Sequence, residues 1–494
     1  MGGAESADEY SARHFGGPTL AAFDPSAPAH RAAALALRER LVAIGFAPAR
    51  AAGLFGLTEV ASVRANRAAY YAAFMLPHDA AGRAARFFVL HEVASDADLR
   101  GVLGEELVRF LAEMAAIVAV EGGWRAIVSA TWFAERLIFT DARVLNVVWP
   151  GEPFPDYVMP PGPDSVGLLR VAPREPRRSA LDLCCGAGAQ ALAAAAYSER
   201  VVGVDLNPRA LRFARFNAAV NGVDRATFVA GDCYETLGDA RVDAILANPP
   251  FVPWPADGSA LLFRGGGPLG DDVLAKIFAG AVDHLEPRGS LAVVADFAEP
   301  AGLPGRIRQW QGEPRRTLIV LQQAYELLAY AEVHAGHLRD SERETLLVRL
   351  LRHFKEWEIE SIEFGYVIQT GEPGTTHVVR TAAPQTGSIA TDVAAWISHQ
   401  RRLAGGDFAD VALELAPGLG LTRTFARRSD GGSAAAAYAV PGPASMLALT
   451  TLSDPALAVL DRVARGNVCA RDIVDEHECR ELARLLDEAL IRFS

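Results

Sequence analysis

The run Leu181-Asp182-Leu183-Cys184-Cys185-Gly186-Ala187-Gly188 decides the fold. An apolar strand ends there in a glycine-bearing turn and passes at once into the helix-like AGAQALAAAAYS. Glycines at such a turn let a ligand approach the backbone and leave N–H groups pointing out of a helix N-terminus. Tight α/β turns also use glycine for packing, so the neighbouring strands have to decide. A second strand ends Val201-Val202-Gly203-Val204-Asp205, placing an acid 19 residues after Gly186. That is where an open α/β sheet presents a carboxylate to a ribose diol. A third strand ends Gly231-Asp232. Three successive strand ends thus aim polar groups into one crevice, the place where doubly wound sheets bind ligands. The reading is a nucleoside site; the alternative has Asp205 and Asp232 only capping helices.

The fourth strand ends Ala247-Asn248-Pro249-Pro250-Phe251. Two prolines fix a rigid turn and leave the Pro249 carbonyl free to accept. The Asn248 side chain supplies a second acceptor, and Phe251 offers a ring. Together they can grip the N–H groups of a planar amine or amide. The bland alternative is that Asn-Pro-Pro merely ends a strand.

These segments, LDLCCGAG, GVDLNPRAL, FVAGD and ANPPF, resemble in order and spacing a class I S-adenosylmethionine-dependent methyltransferase of the HemK-type, small-domain N-methyltransferase group. FARFNAAVNGV and FRGGGPLGDDVLAKIFAGAVDHLEPRGSLAVV carry the likeness further, over roughly residues 150–380. The resemblance implies a Rossmann-like α/β core, a doubly wound, mostly parallel seven-stranded sheet. It implies S-adenosylmethionine as cofactor, with S-adenosylhomocysteine as product. Gly186 and Gly188 would bear the methionine part, with Cys184 beside them and Asp182 near its amino end. Asp205 would take the ribose hydroxyls, flanked by Leu206 and Asn207. Asp232 would bond the adenine amino group, with Cys233 adjacent. Asn248, which would also border the cofactor, and Pro249 would hold the accepting nitrogen, with Pro250 and Phe251 completing the catalytic turn. Two departures stand out: Cys184 occupies the place of the first glycine, and MPPGPDSVGLL replaces the usual PRPETE-like stretch.

Around this core the chain of 494 residues has room for about three domains at ~150 residues each. Residues 1–28 read as a flexible arm. Residues 29–147 read as a mainly helical, winged-helix-like unit, 148–382 as the methyltransferase domain, and 383–494 as a second mixed unit of winged-helix-like type. The Pro-rich stretch 149–178 is expected to be a connector, with no regular helix or central strand.

Half the residues are hydrophobic and 22% are charged, which suits a folded chain with a large core. The balance of 48 basic to 60 acidic residues, net −12, argues against a nucleic-acid or anionic-membrane partner for the whole protein. Only Lys276 and Lys355 among the basic residues are lysines, which fits the codon usage of a G+C-rich bacterial genome more than phosphate recognition. The five cysteines form no C-x-x-C pair or metal-ligand spacing, so a reducing cytoplasm and no metal site are expected. Gly2 and Ser6 match the short myristoylation pattern, taken as chance. No apolar run approaches the ~18 residues of a membrane span.

The expected function is N-methylation of a planar nitrogen in a small molecule, peptide or carrier-bound intermediate. Alternatives are O-methylation of a carboxylate or hydroxyl, methylation of RNA or of protein glutamine, and a cofactor-sensing DNA-binding regulator. The acidic flanks are expected to build a lid or a homodimer interface.

Overall fold

The computed structural model describes residues 19–58, 60–63, 67–142, 156–256, 263–336, 338, 340–380, 389–405, 412–415, 420–427, 433–440, 450–466, 468–487 and 491–493. The Gly2 and Ser6 pattern lies outside them. The end of the segment read as an arm is packed: Thr19, Leu20 and Phe23 are buried, and Leu20 N–H donates to Met114 O at 2.8 Å. Helix α1 (Pro28–Ala43) starts on its proline and turns Ala34, Leu37 and Leu41 inward. Helices α2 (Ala80–Phe88) and α3 (Asp96–Leu103) are capped by Asp79 and Ser95 side chains, and α4 (Glu105–Glu113) follows. Two hairpins complete this unit. They are β1 (Ile117–Val120) with β2 (Gly123–Ala126), and β3 (Val128–Phe133) with β4 (Arg136–Asp141).

The stretch 149–178, expected to hold no regular helix, contains one. Its first residues lie outside the description, but α5 (Pro163–Val171) is a regular helix. Pro163 occupies its first turn, where the missing N–H costs nothing, so this proline starts a helix and does not forbid one. β5 (Arg177–Leu183) then opens the core. It is followed by α6 (Ala189–Ala194), β6 (Ser198–Asp205), α7 (Pro208–Val220), β7 (Ala226–Ala230) and β8 (Val242–Ala247). Next come α8 (Asp272–His284), β9 (Leu285–Ala298), α9 (Leu303–Gln311) and β10 (Arg315–Tyr325). A helical pair, α10 (Leu327–Ala335) and α11 (Asp340–Glu356), is inserted before β11 (Ile362–Pro373) and β12 (Thr376–Arg380).

The sheet order is β12-β10-β11-β9-β8-β5-β6-β7. β5, β6, β7, β8 and β9 pair parallel, and only β11 runs antiparallel, to both β9 and β10. This is the doubly wound Rossmann-like core, with one strand more than the seven expected: β12 adds parallel to the outer edge of β10. The winding reverses between β5 and β8, so their carboxyl ends open a crevice at the switch point.

The N-terminal unit is joined to this core through α7. Asn217 and Asn221, one helical turn apart, face the free edge of β4. Asn217 Oδ1 accepts Phe139 N–H at 2.8 Å and its Nδ2 donates to Phe139 O at 2.9 Å. Asn221 does the same with Leu137, at 2.9 and 2.8 Å. Residues four apart on a helix thus match residues two apart on a strand. Phe139 and Phe110 pack on Phe216 of α7, so both parts share one apolar core.

The C-terminal unit begins with α12 (Ala390–Gly405), whose Val393 and Trp396 join that core. β13 (Leu413–Leu415), β14 (Gly420–Arg427), β15 (Ser433–Val440), β16 (Thr450–Leu452), α13 (Asp454–Ala464), α14 (Glu476–Asp487) and β17 (Ile491–Phe493) follow. β13 pairs with β17, and β14, β15 and β16 form a separate three-stranded sheet. A smaller core of its own holds α13 and α14 together.

Candidate active site

The carboxyl ends of β5, β6, β7 and β8 border a cavity of about 410 Å³. Asp182, Cys184, Gly186, Asp205, Leu206, Asn207, Asp232, Cys233, Asn248, Pro249, Pro250 and Phe251 all line it. Gly188 does not; it starts α6 at φ +80°, and a Cβ there would meet the Phe228 ring at 2.9 Å and Ala214 at 3.1 Å. Its glycine serves close packing. Gly186 is different: at φ +53° an added Cβ would meet nothing, so it is the backbone conformation that selects glycine. Cys184 adopts the same left-handed conformation, φ +56°, at the place where a glycine was expected.

Asp205 ties two turns together. Its Oδ2 accepts Gly186 N–H at 2.7 Å and its Oδ1 accepts Asn207 N–H at 2.8 Å. Burial raises its pKa, opposed by the Asn207 and Gly186 N–H donors. Asp182 is 1% exposed and Oδ2 accepts Ala191 N–H at 2.8 Å, in the first turn of α6. Burial pushes its pKa up to about 8; the Ala191 bond opposes this and the Asp205 charge adds to it. The Cys184 thiol is held well above its ordinary value, first by hydrogen bonding with Cys233 and then by burial.

Asp232 is ion-paired with Lys276 of α8, a residue the sequence reading left to codon usage. At the end of β8, Asn248 Nδ2 donates to Asp164 Oδ2 at 2.7 Å and to Ser165 Oγ at 3.1 Å. Both partners come from the first turn of α5, the helix hidden behind the prolines of MPPGPDSVGLL. Pro163 followed by an acid was the available signal for them. Tyr157, Val158, Met159, Pro160 and Pro161 form one wall, and Phe263, Arg264, Val333 and His334 also line the cavity. Among the described residues, no group of three or more His, Cys, Asp or Glu could hold a metal ion.

Residues 164–302, from α5 to the end of β9, match the methyltransferase small domain family. A Methanocaldococcus jannaschii protein with a provisional protein N5-glutamine methyltransferase name is 30% identical over 28% of this chain and 71% of its own length. The chain belongs to the methyltransferase small-domain family. Within it, a ribosomal protein uL3 glutamine methyltransferase of Bradyrhizobium diazoefficiens is 39% identical over 22% of this chain and 38% of its own length. A release factor glutamine methyltransferase of Mycolicibacterium smegmatis is 38% identical over 28% of this chain and 53% of its own length. The chain thus spans 38% and 53% of the length of these two small-domain methyltransferases. No helix among the described residues is long and apolar enough to cross a membrane.

Proposed function

We propose that this chain is an S-adenosylmethionine-dependent N-methyltransferase whose acceptor is the side-chain amide of a glutamine in a protein or peptide. The observation that carries this is the fixed amide of Asn248. Its NH2 is spent on Asp164 and Ser165, so Oδ1 is the atom left to accept. Pro249 follows it and lines the same cavity, and its carbonyl would be the second acceptor for the two N–H groups of a primary amide.

The cavity fits the cofactor. Asp182 and Asp205 reach it from adjacent strand ends, and the space beside Gly186 is open. Asp182 would face the methionine ammonium, Asp205 the ribose diol and Asp232 the adenine amino group. When bound, the cofactor supplies a methyl group on a strongly electrophilic sulfonium. The chain's own work is alignment and exclusion of water. Asn248 and Pro249 orient the nitrogen and favour the positive charge it gains as the new bond forms. Phe251 confines the plane of the amide. The N–CH3 bond would form as the S–CH3 bond breaks, S-adenosylhomocysteine would leave, and the nitrogen would lose its proton to bulk water as product departs.

The relatives' names favour glutamine over the small molecule first expected. The small-molecule reading keeps one support, the apolar and aromatic side chains of Val333 and Phe263 in the cavity lining. A net charge of −12 disfavours RNA, and five free cysteines fit a reducing cytoplasm. The test is transfer of isotopically labelled methyl from S-adenosylmethionine to a glutamine-containing peptide, followed by enzymatic digestion, which spares side-chain amides, and mass analysis. N5-methylglutamine supports the proposal. Label confined to small amines, or to base-labile esters, overturns it.

A further inference from the structure

Two walls of the cavity converge on one carboxylate that belongs to neither. Asp141, the last residue of β4, is fully buried, and Arg209 in the first turn of α7 is 1% exposed. Arg209 Nε donates to Oδ2 at 2.9 Å and Nη2 to Oδ1 at 2.5 Å; Nη2 also reaches Thr19 Oγ1 at 3.2 Å. Asp141 Oδ2 accepts Val158 N–H at 2.9 Å, and Asp141 N–H donates to Val158 O at 3.2 Å. The Tyr157 hydroxyl donates to Ala142 O at 3.1 Å. On the other side, Asn207 Nδ2 donates to Asp156 O at 2.8 Å while its own N–H is held by Asp205.

The wall Tyr157–Pro161, the Asp205 turn and the N-terminal hairpin are therefore cross-linked. A buried ion pair is a poor device for stability alone, because two well-packed apolar side chains serve as well or better. What Asp141 can do and a leucine cannot is accept from Arg209 and Val158 together.

We infer that Asp141, oriented by Arg209, is a positioning residue for the cofactor: it holds the Tyr157–Pro161 wall in register with the Asp205 turn. The N-terminal unit is then part of the cofactor site and not only a flank. This rests on the cofactor proposed above.

The experiment is calorimetric titration of the full chain with S-adenosylhomocysteine, on wild type and three variants shown by circular dichroism to be folded. The double variant Asp141→Leu/Arg209→Met should keep its melting temperature to within a few degrees but bind about tenfold more weakly or worse. Tyr157→Phe, which removes a single tether, should bind a few-fold more weakly. Amide exchange at Tyr157 and Val158 should accelerate in the double variant. A folded double variant that binds like wild type overturns the inference. If that variant does not fold, Tyr157→Phe and Arg209→Lys decide, and unchanged affinity in both overturns it. Absence of binding by wild type would instead overturn the cofactor reading.

Discussion

Asn248 and Asp164 are 84 residues apart in the chain, yet they are joined by a 2.7 Å hydrogen bond that fixes the orientation of the asparagine amide at the cavity. Without the carboxylate the amide could rotate and offer NH2 where a carbonyl is required. Asn248→Ala should lower the rate of methyl transfer ~10²-fold or more, as expected for a lost positioning group. Affinity for S-adenosylhomocysteine should stay within a few-fold. Asp164→Ala should cost ~10-fold in kcat with a smaller change in KM. Single-turnover assays paired with calorimetry check both.

Asp205 should show the opposite split. Its carboxylate holds Gly186 N–H and Asn207 N–H and faces the cavity. Asp205→Ala should weaken S-adenosylhomocysteine binding by ~10- to 100-fold, the range for lost hydrogen bonds to a charged group. Calorimetric affinity equal to wild type would remove Asp205 from the cofactor site.

Asp182 predicts a pH dependence. Its folded-state pKa of about 8 lies above its ordinary value of 3.8, so the folded chain keeps a proton that the unfolded chain has lost. The resulting stability is complete below pH ~4 and is lost progressively as pH rises to about 8, at up to ~1.4 kcal/mol per pH unit. Without cofactor, the melting temperature should fall between pH 5 and 8, and Asp182→Asn should flatten that slope. A cationic ligand favours the ionised carboxylate, so S-adenosylmethionine should stabilise wild type more at pH 8 than at pH 6. Parallel thermal scans of wild type and variant settle the sign.

Asn217 and Asn221 carry a stability prediction. Replacing either by alanine leaves a buried N–H and C=O of β4 without partners, at ~1–3 kcal/mol for each orphaned group. The double variant should lose several kcal/mol by chemical denaturation. An unchanged denaturation midpoint would mean that β4 finds other partners.

The parts legible in the sequence share a physical cause. A strand buried on both faces reads as an apolar run, and a polar residue at its carboxyl end is conspicuous against it. Asp182, Asp205, Asp232 and Asn248 were visible for that reason, and all line the cavity. What stayed hidden depends on contacts between distant segments. Asp164 lies in a proline-rich stretch whose helix is announced only by Pro163 at its first turn. Arg209 shares its helix with Arg212 and Arg215, Lys276 is the one Lys or Arg on α8, and nothing local says that they reach Asp141 and Asp232. Gly188 was conspicuous for the right conformation but the wrong neighbour, Phe228 in place of a ligand. The edge strand β12 follows β11 after a short turn and lies next to β10, a placement that no spacing encodes.

Asn217 of α7 and Asn221 at its C-cap also bear on how the chain avoids its own kind. A two-stranded ribbon such as β3–β4 ordinarily leaves a row of unmet donors and acceptors that any extended chain could zip onto. Here a helix plays the missing third strand, with side-chain amides counterfeiting peptide groups. The seal exists only after α7 has formed and docked. During synthesis the hairpin emerges first, so until residue 221 has left the ribosome this edge lacks its helical partner and is open to foreign strands.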